Sequence, residues 1–267
     1  GAAATAPVFE KQGYTLSGWD KSLEGISQNQ TITAVWTPNT DTPYKVEYYF
    51  ENAFDDDFTL NGELTQNLTG TTASAVEVQT IAEFAHFVYD ADLSTISGSV
   101  LADGSLVLSI YYKREIYTVN FSGGGGVLDE GDVEQEVKYG ASAAAPVYLR
   151  TGYTFDGWDK ALTGISQNQT ITALWEANTD TAYKICLYFE NAEDDDFTLD
   201  ATKTQNLTGT TDTTATVDSV DEYEHFIYRA DLSVLSGNID GDGSLELKVY
   251  YVREVYTVVF SCFDGEY

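Results

Sequence analysis

The segment GYTFDGWDKALTGISQNQTITALW, Gly152 to Trp175, stands a second time in the chain as GYTLSGWDKSLEGISQNQTITAVW, Gly13 to Trp36. The two copies differ at 5 of 24 positions. Tyr14 pairs with Tyr153 at an offset of 139 residues, which holds without insertion from Gly1/Gly140 to Phe121/Phe260. A repeat of this length is read before any site, because missing it mis-assigns the whole fold. The second copy also acts as an internal control: what the module needs is present twice.

Working outward, two kinds of module alternate. Residues 1–37 are the back part of a first kind, 44–113 a second kind, 116–176 a complete first kind, 183–252 the second kind again, and 255–267 the opening of another first kind. Tyr44, Val46, Tyr48 and Phe50 alternate with polar or outward residues, which predicts a half-buried strand. Leu106, Leu108, Ile110 and Tyr112 predict another, after a hairpin-type turn at Asp103-Gly104. Ile32, Ala34 and Trp36 share one strand face; Tyr117, Val119 and Phe121 share the face of an opening strand. The second copies are Ile185, Leu187 and Phe189, and Leu245, Leu247, Val249 and Tyr251. The run Leu68-Thr-Gly-Thr-Thr72 predicts a turn, Gly123 to Gly126 a flexible turn, and Ala141 to Ala145 a short helix ended by Pro146. The expected fold is mainly β with little helix: small tandem modules on an extended rod. Modules of this size fold alone only marginally, so contacts between neighbours should matter.

The chain has 267 residues, is 43% hydrophobic and 13% aromatic, and carries 13 basic against 43 acidic residues for a net charge of −30. That is apolar enough for a core. Such a charge repels phosphate backbones and anionic lipid surfaces, which excludes nucleic acid as an expected partner. No apolar run approaches the length of a membrane span, so no membrane insertion is expected.

At this point a resemblance can be stated. Tyr117-Thr-Val-Asn-Phe121, Val137-Lys-Tyr-Gly140, Ala145-Pro146, Gly152-Tyr-Thr-Phe-Asp-Gly-Trp158 and Ile171-Thr-Ala-Leu-Trp175 resemble the Listeria–Bacteroides repeat, also called the internalin B-repeat. The alternating modules, with YKVEYYFEN, LTGTT, LSGSV and DGSLVLSIYYKRE, look like MucBP-type repeats. The resemblance implies β-grasp-like modules in a protein of the bacterial cell surface, cell wall or extracellular space. It implies a stalk, spacer or filament role, or adhesion to mucin and other glycans, and it transfers no binding residues.

Candidate sites were weighed against their second copies. Asp55-Asp56-Asp57 recurs as Asp194-Asp195-Asp196, with Glu51 and Glu190 nearby. Several carboxylates could hold calcium weakly, but no complete ligand spacing is present, and the expectation is a solvated acidic loop guarding a strand edge. Asp240-Gly-Asp-Gly243 keeps only its second Asp-Gly in the other copy, as Asp103-Gly104, and reads as a turn. His86 and His225, the two histidines, recur without a partner ligand and read as structural residues beside a strand. Trp36, Trp175, Trp19 and Trp158 are either module core or sugar-stacking platforms; alternation favours core for the first two. Cys186 replaces Glu47 at outward parity and Cys262 replaces Gly123, so two unpaired thiols are expected, with a disulfide as the alternative. No nucleophile-base set passes the copy test, so no catalytic, cofactor-binding or metal-binding residue is expected and the protein is read as no enzyme.

The ends suggest a piece of a longer protein. Gly1 aligns with Gly140, so the first module lacks an opening strand, while Val255, Tyr256, Val258 and Phe260 supply one. The expectation is that 255–261 completes the first module of the next copy, either within a longer chain or as a separate subunit joined by strand addition; the alternative is that the ends are an arbitrary boundary. Partners are then copies of this chain or adjacent repeats, with a host or environmental glycan as a further candidate.

Overall fold

Strands account for every regular element in the computed structural model, which describes residues 1–261: there are 22 of them, and no helix occurs among the described residues. The chain divides into two compact units. One holds residues 1–119, 135–143 and 162–169; the other holds 120–134, 144–161 and 170–267.

The first unit opens with β1 (Tyr14–Trp19) and β2 (Ala34–Pro38), an antiparallel pair with a bulge between Leu16 and Gly18. Then come β3 (Thr42–Glu51), β4 (Phe58–Leu60), β5 (Gln66–Gly70), β6 (Ala75–Glu77), β7 (Phe87–Thr95), β8 (Ser97–Ser99) and β9 (Val107–Arg114). The central pair, β3 and β9, is parallel, from Lys45↔Val107 to Phe50↔Tyr112. β4 and β5 pair antiparallel along the other edge of β3, and β7 along the far edge of β9. The predicted alternation holds: Val46 and Tyr48 are 3% and 6% exposed, and Leu108, Ile110 and Tyr112 are at most 1% exposed. Their face carries an aromatic stack. Phe50 lies parallel to Tyr112 at 5.2 Å, and Phe84 meets Tyr112 edge-on at 5.0 Å. On the opposite face Tyr49 stacks on Tyr111 at 4.8 Å, and Phe58 meets Tyr111 edge-on. The Tyr49 hydroxyl donates to Glu47 at 2.7 Å, and that bond, ahead of burial, pushes its pKa up to about 12.

Residues 116–177 supply β10 (Ile116–Ser122), β11 (Val127–Glu130), β12 (Glu134–Lys138), β13 (Val147–Leu149), β14 (Tyr153–Trp158) and β15 (Gln169–Ala177). The sheet order is β12-β10-β15-β14, with β11-β13 a separate antiparallel pair. The pairing of β14 with β15 reproduces that of β1 with β2, bulge included.

The second unit then repeats the mixed sheet with β16 (Thr181–Glu190), β17 (Phe197–Leu199), β18 (Gln205–Gly209), β19 (Thr214–Thr216), β20 (Phe226–Tyr228), β21 (Ser236–Asn238) and β22 (Glu246–Arg253). β16 and β22 are parallel from Lys184↔Glu246 to Phe189↔Tyr251. The core is Ile185, Leu187, Ala215, Ile239, Leu247, Val249 and Tyr251.

Five expectations are corrected. Leu68-Thr-Gly does not turn: it lies in β5, hydrogen-bonded to the start of β3, and the bend follows at Thr72-Ala73. An edge strand with mostly exposed side chains shows no alternation, so only the turn-like residue types were visible. Asp103-Gly104 does turn, but not as a tight hairpin: β7 and β9 pair antiparallel around it, with β8 between them diverted to pair with β6. The Ala141 to Ala145 run is extended rather than helical; Ala141 and Ala143 are buried and exchange backbone bonds with Ile165 and Leu162. The Gly123 to Gly126 turn is tightly packed: a Cβ at Gly124, whose φ is +58°, would stand 2.2 Å from the carbonyl oxygen of Ala173. Cys186 is 2% exposed despite its outward parity, on the face where Tyr188 stacks on Tyr250; burial pushes its pKa up. It is a free thiol, and Cys262 lies outside the described residues.

Leu247 is fully buried at the centre of its sheet. We expect Leu247→Ala to cost about 2–5 kcal/mol by loss of transfer energy plus a cavity, read as a lowered urea midpoint at unchanged slope.

Candidate functional site

β3 ends on Glu51, and the hairpin to β4 is organised by Asn52 and Asp55. Asn52 Nδ2 donates to Asp55 Oδ1 at 2.8 Å, and Asp55 Oδ1 also accepts the Asp57 amide at 3.0 Å. Asp55 is thereby spent on the loop, and the outer acidic residue, Asp56, points outward with its side chain 99% exposed.

Lys138, at the end of β12, reaches this loop. Its ammonium donates to Glu51 Oε1 at 2.7 Å, to Asp56 Oδ1 at 2.7 Å and to the carbonyl of Asp55 at 2.9 Å. The second oxygen of Glu51 accepts the Arg114 amide at 2.8 Å. Arg114 Nε donates to the Glu51 carbonyl at 2.7 Å, and its Nη1 donates to the Tyr139 carbonyl at 2.8 Å. The Tyr139 ring stacks on His86 at 4.1 Å and 13°. His86 has φ +67° and bonds the Tyr117 hydroxyl through Nδ1 at 2.7 Å, while that hydroxyl also donates to Glu115. Glu51 thus has both oxygens satisfied, which a carboxylate only 7% exposed requires.

The electrostatics follow. The hydrogen bond from Lys138, and then its charge, hold the Asp56 carboxyl below its usual range; the same bonds to Asp56 and Glu51 raise the Lys138 ammonium. The Tyr117 hydroxyl is pushed up to about 12, first by its bond to Glu115. In the first copy a lysine ammonium is the cation that meets the acidic loop. Among the described residues no cluster of three or more His, Cys, Asp or Glu side chains is placed to hold a metal ion. Asp242 accepts the Ser244 amide as Asp103 accepts that of Ser105, so Asp240 to Gly243 forms the same turn in both copies.

A second joint uses the opening segment itself. Gly152 has φ +79°, and a Cβ there would stand 2.3 Å from Gly241 Cα. Its carbonyl accepts from the Asn178 amide at 2.9 Å and from Thr211 Oγ1 at 2.8 Å. Thr181 and Thr211 share a buried hydroxyl pair at 2.7 Å. In the first copy Gly13 accepts the Asn39 amide at 2.9 Å, and Thr42 pairs with Thr72 at 2.6 Å. The short connections around Asn39 and Asn178 are therefore hydrogen-bonded joints.

The tryptophans are half-buried. Trp158 meets Phe121 at 5.1 Å, Phe155 at 5.4 Å and Tyr148 at 6.1 Å, all near edge-on. Trp175 Nε1 donates to the Gly123 carbonyl at 2.7 Å. Trp19 touches the half-exposed Phe9 at 5.8 Å, and Trp36 is half-buried in β2. Residues 255–261 form no strand; Val255, Tyr256, Val258 and Phe260 are 93%, 65%, 71% and 87% exposed. A cavity of about 730 Å³ lies beside the acidic loop, with Phe50, Asn61, Leu64, Phe84 and Arg114 in its wall; one of about 660 Å³ repeats it at Phe189, Asp200, Lys203, Tyr223 and Arg253.

Sequence reading singled out Glu51, the Asp loop and His86 but missed Arg114, Glu115, Tyr117 and Tyr139. The signal was available: Arg253, Glu254 and Tyr256 repeat three of them at the same offset.

Lys138→Met strands Glu51 half-satisfied and should lower stability by about 1–3 kcal/mol. The Asp56 contribution, from a lowered carboxyl, is present above the ordinary aspartate range and fades as pH falls through the lowered value; the Lys138 contribution, from a raised ammonium, is present below the ordinary lysine range and is lost as pH rises through the raised value. Thermal melts of wild type and variant should therefore differ most in the wide interval between those limits and converge at both extremes.

No curated protein matches the chain. Residues 117–188, from β10 into β16, match the Listeria-Bacteroides repeat domain, a module of bacterial surface and extracellular repeat proteins that is generally non-catalytic.

Proposed function

We propose that this chain is a non-catalytic structural segment of a cell-surface or cell-wall repeat protein, in which Listeria–Bacteroides-type modules alternate with MucBP-like modules as a stalk, spacer or filament. The observation that carries the reading is what the recurring polar residues do. Glu51, Arg114 and His86 are engaged in one joint and Gly152 and Thr211 in another, and none is arranged as a nucleophile with a base. Rigid joints of this kind hold successive modules in a defined geometry, as a spacer requires. The second reading is an adhesin, favoured by the aromatic cavity that occurs beside both acidic loops. A mucin-glycan array separates the two. The spacer reading expects no retained glycan above background; a glycan retained by the wild type and released by Phe84→Ala would replace it with the adhesin.

Head-to-tail joining belongs to the same proposal. β15 pairs with β10, whereas its counterpart β2 pairs only with β1 among the described residues. Residues 255–261, VYTVVFS, keep the pattern of β10, IYTVNFS, and are exposed. They would add to β2 of a second copy as β10 adds to β15. Sedimentation of the 267-residue chain should then show concentration-dependent association at about 100 µM, abolished by Val258→Pro, which removes a ladder donor. A wild type that stays monomeric there would sink joining by separate subunits.

A further inference from the structure

The Glu51 latch has a second set of acceptor residues, and that set is exposed. Arg253 donates its amide to Glu190 Oε2 at 2.6 Å and its Nε to the Glu190 carbonyl at 3.0 Å, matching Arg114 on Glu51. His225 has φ +66°, its carbonyl accepts the Glu254 amide at 2.9 Å, and its ring bonds the Tyr256 hydroxyl at 3.0 Å. Each of these repeats a contact of His86, Glu115 and Tyr117. The acidic hairpin is the same as well: Asn191 donates to Asp194 at 2.7 Å, and Asp194 accepts the Asp196 amide at 3.0 Å, leaving Asp195 outermost.

The difference is in burial. Glu51 is buried and Glu190 half-buried; Arg114 is half-buried and Arg253 exposed; the His86 side chain is 38% exposed and that of His225 63%. In the first copy the covering groups are the ammonium of Lys138, the ring of Tyr139 and its carbonyl. The backbone scaffold of the second set stands without them, so it is preorganised for the same guest. Its loop also carries Glu193 where the first has Phe54, which adds negative charge to the loop.

We propose that Glu190, Asp195, His225 and Arg253 are the acceptor for a Lys-Tyr-Gly segment of another Listeria–Bacteroides-type module. The lysine ammonium bridges Glu190 and Asp195, the tyrosine ring stacks on His225, and its carbonyl accepts from Arg253. This rests on the reading of the chain as a run of repeat modules. A second copy of the present chain is a poorer guest, because its Lys138-Tyr139 already lies on its own Glu51 and His86.

The test uses the full 267-residue chain, isotope-labelled, at pH 7 and low salt. The probe is the capped hexapeptide Val-Lys-Tyr-Gly-Ala-Ser, the sequence of Val137 to Ser142. Perturbations should concentrate at His225, Arg253 and Glu254, leave His86 and Arg114 unmoved, and titrate with a dissociation constant on the order of 1 mM. The Lys138→Met version of the peptide should bind at least about fivefold more weakly. The Glu190→Gln chain, its other resonances unchanged, should weaken the wild-type peptide similarly. No localised perturbation, equal response to both peptides, or an unaffected Glu190→Gln chain would each overturn the acceptor. A glycan found on the array would remove the spacer reading and leave this result to stand or fall separately.

Discussion

Parallel pairing at the centre of each mixed sheet governs the rest. Two parallel strands cannot be joined by a tight turn, so the chain between Glu51 and Val107 must cross from one end of the sheet to the other. That crossover carries β4 to β8 and the aromatics Phe84 and Phe87 that cover Tyr112 and Phe50. Parallel strands also end on the same side. Glu51 closes β3 and Arg114 closes β9 beside it, so the carboxylate caps the neighbouring strand's amide and the guanidinium returns to the carboxylate's own carbonyl. The latch is a consequence of strand direction before it is a matter of charge.

Much of this was legible in the residues, and the failures share a cause. Period-two alternation located β3, β9, β16 and β22 because one face of each is core and the positions hold Val, Ile, Leu and Tyr. The same rule failed at Cys186, where both faces of β16 are covered, and at β5, whose side chains are mostly exposed. Alternation reports a contrast between faces; where the contrast is missing, the strand or its burial is invisible. Strand direction is a second blind spot, since a turn such as Asp103-Gly104 reads alike in a hairpin and in a crossover. The latch needed neither periodicity nor motif. Its acceptor side is written in which charged and aromatic residues survive a 139-residue shift: Glu51, His86, Arg114, Glu115 and Tyr117 all do.

Charge sets how these joints behave. With 13 basic residues against 43 acidic, cations are scarce, and several lie on specific partners. Lys203 contacts Asp200 at 2.6 Å, and Arg229 contacts Asp231 at 2.6 Å, both pairs open to solvent. Exposed pairs of this sort contribute little singly and are screened by salt. Lys138 differs because one of its partners, Glu51, is buried and is also committed to Arg114. Removing the cation leaves a desolvated carboxylate short of a donor, whereas removing Asp56 leaves an exposed loop that water can serve.

The two copies also weigh the spacer against the adhesin. The latch residues Glu51, His86, Arg114, Glu115 and Tyr117 recur unchanged as Glu190, His225, Arg253, Glu254 and Tyr256. The wall of the adjoining cavity recurs only in part: Phe50, Phe87 and Arg114 return as Phe189, Phe226 and Arg253, whereas Asn61, Leu64 and Phe84 become Asp200, Lys203 and Tyr223, and Lys203 then pairs with Asp200. A ligand that both cavities served would hold their chemistry constant and tolerate drift at the joint. Here one part of the wall has gained a Lys203–Asp200 pair while the carboxylate, guanidinium and imidazole are unchanged. What the two copies have kept is the arrangement of carboxylate, guanidinium and imidazole at one end of the mixed sheet, which follows from where its parallel strands stop.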